Sequence, residues 1–261
     1  MEWTDEAIVL SARAHGEHGA IVNLLTPQHG RYAGMMAGGQ GARARPVLQQ
    51  GNRVKAVWRA RLAEHLGSLA LDLSQSLAAA WLDEPEVLAI IASACAVTEA
   101  SLPERQPMPG VYGGLCALFS LQDKELWAPV YVKWEIGLLQ ALGFGLDLSR
   151  CAATGETDDL IYVSPRTGRA VSRDAGEPYK DKLLPLPAFL LGGGVGGRED
   201  IRQGLDLTGF FLSRHVFSHP HSRLLIAVSG DLPQARHRMA AFYASETAQD
   251  EPSYRRGDLQ V

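Results

Sequence analysis

Positively charged side chains are concentrated in one stretch of the chain, on a glycine-rich loop and on the strand-like segment that follows it. Residues 38–46 read Gly-Gly-Gln-Gly-Ala-Arg-Ala-Arg-Pro, and residues 52–62 read Asn-Arg-Val-Lys-Ala-Val-Trp-Arg-Ala-Arg-Leu. Glycine lets a backbone approach phosphates closely, and arginine pairs with phosphate oxygens through two parallel N–H groups. We therefore predict a phosphate-binding surface for nucleic acid. Its cations are Arg31, Arg43, Arg45, Arg53, Lys55, Arg59 and Arg61.

The overall charge of the chain hides this stretch. The formal net charge is −4, yet residues 1–80 contain eight Lys or Arg against six Asp or Glu, and residues 81–261 contain 17 against 23. No acidic residue lies between Arg31 and Arg61. Local charge sets the field that a phosphate backbone meets, so we expect binding that weakens steeply with salt.

A second interpretation of the charged strand stays open. Its cations could protect the edge of a sheet from pairing with other chains. The single sign of the charge and the glycine content of the loop favour phosphate binding, because edge protection usually mixes signs and packing does not explain so many glycines. Few aromatic residues lie nearby beyond Tyr32 and Trp58, and Trp58 falls on the apolar face. No platform for stacking single-stranded bases is therefore predicted.

The elements that must position these residues are short strands. Between residues 7 and 73 apolar residues alternate with polar ones, and turn residues interrupt the pattern at short intervals. Five strands in a segment of this length suit a small closed barrel of the OB type. The predicted strands are 6–14, 20–26, 31–37, 52–62 and 65–73.

After residue 77 the apolar spacing becomes helical. Helices are predicted to begin near Pro85, to cover 111–121, and to follow Pro129 as far as Gly143; residues 150–187 instead suggest a hairpin-rich insertion. Further helices are expected at 187–192, 199–217 and 221–245. The predicted fold class is α+β. Its parts are an OB-type barrel domain at 1–80, a helical domain at 81–246 that contains the insertion, and a flexible tail at 247–261.

The remaining motifs do not indicate catalysis. The glycine run at 192–197 lacks the Lys-Ser/Thr ending of a phosphate loop, and His215, His219 and His221 lack a second group of metal ligands. We predict that the protein is not an enzyme and needs no cofactor. Two alternatives stay open: an OB-fold protein that binds RNA generally, and a metal-dependent enzyme acting on nucleic acid through Asp158 and Asp159.

The cysteine content and the first residues of the chain indicate the cellular compartment of the protein. Cys95, Cys116 and Cys151 are odd in number and widely spaced, which suggests buried free thiols in a reducing compartment. No apolar run reaches eighteen residues, and the first residues are acidic where a signal peptide is basic. We expect a cytoplasmic protein that does not enter a membrane.

The order of features resembles a known family, the bacterial DNA repair protein RecO family. The resemblance starts with the all-β N-terminus, its Gly-Ala-Arg loop and the Leu48-Gln49 pair. It continues through the segment 133–145, Lys-Trp-Glu-Ile-Gly-Leu-Leu-Gln-Ala-Leu-Gly-Phe-Gly, and through Leu-Leu-Pro-Leu-Pro at 183–187. Each motif is common alone, but their order is specific and extends to about residue 245.

The resemblance implies an OB fold followed by a helical domain with a zinc-finger-like insertion. It also implies a nucleoid-associated mediator of DNA repair and recombination that binds single- and double-stranded DNA and anneals complementary strands. Its implied protein partners are RecR, the C-terminal tail of single-strand-binding protein and, indirectly, RecA, which it helps to load onto coated DNA.

The insertion departs from the zinc-bearing members, which carry four cysteines in two Cys-x-x-Cys pairs. Here Cys151 stands alone, with Thr154 in place of its partner and with Ser164 and Thr167 where a second pair would fit. One thiolate cannot hold a tetrahedral zinc ion. An insertion without metal is therefore expected.

The implied contact with the acidic, apolar-ended tail of single-strand-binding protein needs a hydrophobic pocket rimmed by cations. Lys133 matches a basic position of the family, and Trp134 belongs to the apolar stripe beside it. Without the resemblance, Lys133 would be interpreted as a solvated helix charge. Other candidate rim cations are Lys180, Lys182, Arg214 and Arg223.

Overall fold

The computed structural model describes residues 1–62, 64–218 and 231–244. Its N-terminal part is a closed five-stranded barrel in the order β1-β2-β3-β5-β4. Strands β3 and β5 pair in parallel, with Met35 opposite Ser68, and the other pairs are antiparallel. The predicted OB-type architecture is confirmed. The strands are β1 (Glu2–His15), β2 (Gly19–Thr26), β3 (Gly30–Met36), β4 (Arg53–Arg59) and β5 (Ser68–Gln75).

The barrel encloses one of two hydrophobic cores, and its outer side helps to form the other. Alternate residues point inward, as the period-two pattern requires, so that Val9, Val22 and Trp58 are buried inside the barrel. Ile8 and Leu10 point outward from β1 but are also fully buried, because they pack against the helices. The barrel and the helical domain therefore share a continuous apolar interface.

Three long helices follow the barrel after a 3-10 turn at Ala78–Trp81. Prolines at or near their starts fix their N-termini, since proline lacks the N–H that the first helical turn leaves unpaired. The predicted helices all form, although the second begins at Pro109, two residues earlier than the spacing suggests. The helices are α1 (Pro85–Ser101), α2 (Pro109–Phe119) and α3 (Trp127–Ala141).

Residues 160–185 form the predicted hairpin with one more strand at its edge. Strands β6 (Leu160–Val163) and β7 (Ala170–Ser172) pair around a turn that ends at Gly168, and the helical turn α4 (Arg173–Gly176) follows. Strand β8 (Leu184–Pro185) pairs with β6. The two-residue β8 is too short to give a recognisable alternation in the sequence.

The last described elements complete the helical domain. A 3-10 helix covers Ala188–Leu191, and α5 (Arg198–Leu212) continues into a π-helical turn at Ser213–Phe217. The predicted helix at 221–245 is wrong at residues 231–233, which are not helical, because α6 (Gln234–Ala241) begins only after Pro233. Residues 219–230 and the predicted tail lie outside the described residues.

A buried polar network joins α3, α5 and α6. Arg236 pairs with both carboxylate oxygens of Glu135, at 2.7 and 3.0 Å, and Tyr131 and Thr208 donate to the same carboxylate at 2.6 and 2.5 Å. Burial lowers the pKa of Arg236, but Glu135 outweighs it and raises the pKa above its ordinary value. Both ions are buried and bonded, so this network fixes how the three helices pack.

Candidate nucleic-acid interface and helical groove

The outer face of β4 carries Arg53, Lys55 and Arg59, while Val54, Ala56 and Trp58 alternate with them on the buried face. The predicted alternation is correct. The prediction of a face with one sign of charge is wrong for the folded sheet, because neighbouring strands supply acidic residues. Glu2 of β1 lies opposite Arg59 and forms an ion pair of 2.8 Å with it.

The register also places acidic residues on both sides of Lys55. Glu6 of β1 and Asp72 of β5 are its cross-strand neighbours, and all three side chains are exposed. Cross-strand neighbours on one face lie close enough for their charges to interact. The centre of the β4 face is therefore mixed in charge, as a solvated and protected sheet surface would be.

Arg53 is partly committed to the helical domain. Its guanidinium lies against the Tyr112 hydroxyl of α2. Burial and the neighbouring Cys116 raise the pKa of Tyr112 to about 12, and Arg53 acts in the opposite direction. Arg53 is only half-exposed, so it has less freedom to meet a phosphate than the cations beyond the strand.

Arg31 does not belong to the surface, contrary to the sequence-based prediction. Its side chain is 3% exposed, its Nε donates to the Leu102 carbonyl at 2.9 Å, and it pairs with Glu104 at 3.4 Å. Burial lowers its pKa and Glu104 acts in the opposite direction. Arg31 instead fastens the barrel to the segment that leaves α1.

The glycine loop is an ordered series of turns. The amides of Ala44 and Arg45 both donate to the Gly41 carbonyl, and Ala44 and Leu48 are buried in the barrel core. Packing does require glycine at one position, since a Cβ at Gly39 would lie 2.5 Å from that of Ala20. The loop therefore presents its polar side chains from a fixed backbone.

A side chain of the loop ties it to the turn between β1 and β2. Gln40 Nε2 donates to the carbonyls of Gly16 and Gly19, at 2.9 Å each. Arg43 and Arg45 are exposed, and their guanidinium groups have no hydrogen-bond or ion-pair partner among the described residues. Two unpaired guanidinium groups on a braced loop are well suited to bind phosphates.

Arg61 completes the set of free cations. It lies just beyond the end of β4, is exposed, and has no partner in the part of the chain that the structure describes. Of the seven predicted cations, the structure therefore leaves four exposed without a bonded partner among the described residues. These are Arg43, Arg45, Lys55 and Arg61.

An apolar groove of about 530 Å³ runs between α2 and α3. Val130 and Leu138 line it, and Gly114 and Gly137 leave it open because they have no side chain. Lys133 and Trp134 both belong to its lining. This groove is therefore apolar inside and has a cation at its edge.

The groove contains two polar side-chain groups, the indole N–H of Trp134 and the ammonium group of Lys133. The Nε1–H of Trp134 is buried and has no hydrogen-bond partner, although Trp134 is 6% exposed. Gly114 lies over this indole, where a Cβ would be 3.2 Å from its Cδ1 atom. The Lys133 Nζ lies 5.9 Å from the ring centroid of Phe189.

The other predicted rim cations are not among the lining residues of this groove. Lys180 pairs with Glu177 at 2.8 Å, which raises the pKa of the lysine, and Arg214 lies over the ring of Phe210 at 5.8 Å. Lys182 is exposed on the insertion. Arg223 lies outside the described residues.

Comparison with known proteins identifies the family. The profile described as Recombination protein O N terminal matches residues 1–76, and the one described as Recombination protein O C terminal matches residues 82–224. The chain belongs to the RecO family of DNA repair proteins. These two matches confirm the resemblance to the RecO family that the sequence motifs indicated.

Named relatives of the RecO family cover nearly the whole chain. The DNA repair protein RecO of Rhodospirillum centenum is 56% identical over 245 residues, which span 93% of this chain and 95% of the relative. That of Rhodospirillum rubrum is 48% identical over 91% of this chain and 94% of its own length. That of Cereibacter sphaeroides is 43% identical over 94% and 99%.

The residues of the insertion do not fit the zinc ion that other members of the RecO family bind there. The Cys151 sulfur accepts hydrogen bonds from the backbone N–H and the hydroxyl of Ser172, at 3.3 Å each. Burial raises the pKa of Cys151, but hydrogen bonds from Ser172 and Thr154 outweigh it and lower the pKa to about 6. Ser164 and Thr167 lie instead in the hairpin turn.

Three further observations apply to the residues described in this RecO family member. Within them, no three His, Cys, Asp or Glu side chains are grouped to hold a metal ion. Asp159, a carboxylate of the enzyme alternative, is bonded through both oxygens to Arg173. Among the same residues, every helix is too short or too polar to cross a lipid bilayer.

Proposed function

We propose that this RecO family member is a recombination mediator that binds single- and double-stranded DNA and anneals complementary strands. Together with RecR it helps to load RecA onto DNA coated by single-strand-binding protein. The observation that carries the proposal is the pair of unpaired guanidinium groups, Arg43 and Arg45, on a loop braced against the barrel.

Annealing on this surface would be electrostatic. Two DNA strands repel each other through their phosphates, and cations that neutralise phosphates reduce that repulsion. The four free cations lie on the loop, on β4 and just after it. Because they contact the backbone rather than the bases, a strand bound there keeps its base edges available for pairing. No nucleotide hydrolysis and no metal ion enter this mechanism.

The α2–α3 groove is the proposed docking site for the tail of single-strand-binding protein. An acidic peptide with an apolar end needs an apolar channel with a cation at its rim, and Val130, Leu138 and Lys133 provide both. We place this activity in the cytoplasm at the nucleoid, where coated single strands occur.

The proposal is tested by reversing charge on the loop. Arg43→Glu with Arg45→Glu should abolish annealing of complementary oligonucleotides in the absence of ATP and metal, measured by fluorescence quenching between labelled strands. A matched control reverses two other exposed and unbonded cations on the insertion, Arg166→Glu with Lys182→Glu, and should anneal normally.

The outcomes separate the alternatives. Unchanged annealing in the loop variant would refute this placement of the DNA surface. Equal loss of annealing in the loop variant and the control variant would show that annealing depends only on the net charge of the protein. An RNA unrelated in sequence to either DNA strand, added as competitor, addresses the RNA-binding alternative, because a general RNA-binding protein would lose DNA annealing at equimolar RNA.

A further inference from the structure

Three parallel rings form a stack at one end of the barrel. Trp58 of β4 is fully buried, Trp3 of β1 lies on it with ring centroids 6.0 Å apart at 12°, and His29 lies on Trp3 at 4.4 Å and 14°. Tyr32 stands nearly perpendicular to all three rings, at 70 to 84°. The sequence does not reveal this stack, because the chain separates Trp3 and His29 from Trp58.

The outermost ring is held in a fixed orientation. His29 Nδ1 lies 3.1 Å from Oδ2 of Asp5, and the amide of Gln28 donates to the same oxygen at 3.1 Å. The other oxygen of Asp5 accepts from the amide of Glu6 at 2.9 Å, and the Asp5 side chain is 4% exposed. A buried carboxylate with several donors thus fixes the plane of the imidazole.

The outermost ring of the stack is partly exposed. The His29 side chain is 29% exposed, and no other described aromatic ring packs against it besides Trp3 and the edge-on Tyr32. An oriented aromatic ring that ends a stack at the surface can accept one more flat ring. Bases of single strands stack on such rings, whereas bases in a duplex are already stacked and paired.

A cation contacts the edge-on ring of this stack. The Arg105 guanidinium lies 5.0 Å from the centroid of Tyr32 and donates to the carbonyls of Glu64 and His65. A flat ring that carries phosphates on both sides, such as a nucleotide within a strand, matches this combination of an aromatic face and nearby positive charge.

We propose that the exposed face of His29 is a stacking site for an unpaired base of single-stranded DNA. This site goes beyond the phosphate contacts proposed above and gives the barrel a means to distinguish single strands from duplex. It rests on the proposed DNA binding, and its failure can be distinguished from the failure of that binding by DNA that lacks bases.

The test compares two single strands of about 15 nucleotides, one of thymidines and one of abasic sugar phosphates, in anisotropy titrations of the full chain. His29→Ala should weaken binding of the thymidine strand about tenfold and leave abasic and duplex binding unchanged. His29→Phe keeps a flat ring but loses the bond to Asp5, so it should restore most of the thymidine affinity.

Equal weakening on both strands, or no change on either, would overturn the stacking site while leaving phosphate binding intact. Failure of the wild-type chain to bind any of the three DNAs would instead count against the proposed DNA surface. A second measurement needs no variant. Irradiation of the wild-type protein with a 5-iodouracil strand should cross-link His29, located by fragment mass spectrometry of the tryptic peptide 14–31, and absence of that cross-link would also overturn the proposal.

Discussion

The salt dependence of single-strand binding can be predicted from the exposure and pairing of the basic residues. The slope of log K against log salt concentration for single strands is about −0.7 for each phosphate that a protein neutralises. Arg43 and Arg45 are exposed and unpaired, so Arg43→Ala and Arg45→Ala should each make the slope less negative by about 0.7. Arg59 already has a carboxylate partner at 2.8 Å. Replacing Arg59 by alanine also leaves the Glu2 carboxylate without its partner. The slope for Arg59→Ala should therefore change by less than about half of the 0.7 expected for Arg43→Ala.

Fluorescence anisotropy of a labelled thymidine strand, titrated at several salt concentrations, measures these slopes. The Arg59→Ala variant is the internal control, because it removes the same charge from the same barrel. The four free cations together predict a contribution of about −3, whereas seven equivalent cations would give about −5. A change for Arg59→Ala equal to that for Arg43→Ala would refute the reasoning that ion pairing to Glu2 removes Arg59 from phosphate binding.

Three further predictions concern the helical domain and the insertion. Glu135→Gln leaves Arg236 as a buried charge without its partner and should lower the free energy of unfolding by about 3–5 kcal/mol in urea, whereas Glu177→Gln at an exposed pair should leave the urea midpoint nearly unchanged. Lys133→Glu should weaken binding of the tail peptide in calorimetry while sparing duplex binding; equal loss of both would show that the groove is not a separate site. Cys151 has its pKa lowered from 9.0 to about 6 in the folded protein, so it adds stability that is complete above pH 9 and is lost as the pH falls toward 6. The wild type should therefore gain stability over Cys151→Ala between pH 6 and pH 9, and parallel urea midpoints for the two proteins would contradict this.

Local patterns in the sequence were sufficient to predict the barrel strands and the three helices that follow them. The period-two alternation of β4 placed Trp58 inside and Lys55 outside, and proline fixed the start of α1 at residue 85. Both signals act within a few residues, where backbone geometry alone determines the outcome.

The environment of each cation was harder to predict because it depends on strand register and domain packing. Glu2 reaches Arg59 across 57 residues of chain, and Arg31 contacts a carbonyl 71 residues away. A segment without acidic residues in the sequence can therefore lie between acidic strands in the barrel. The aromatic stack escaped prediction for the same reason, since Trp3 meets Trp58 only through the pairing of β1 with β4.

The shared apolar interface has a practical consequence for dissecting this protein. Ile8, Leu10 and Leu25 of the barrel have no exposed surface because the helices cover them. A barrel expressed alone would expose these side chains to water, and the helical part alone would expose the residues of α1 that cover them. Truncation would thus produce two fragments with exposed apolar surfaces that are prone to aggregate, rather than two independently folded domains. Separating the contributions of the two halves therefore calls for point variants in the intact chain.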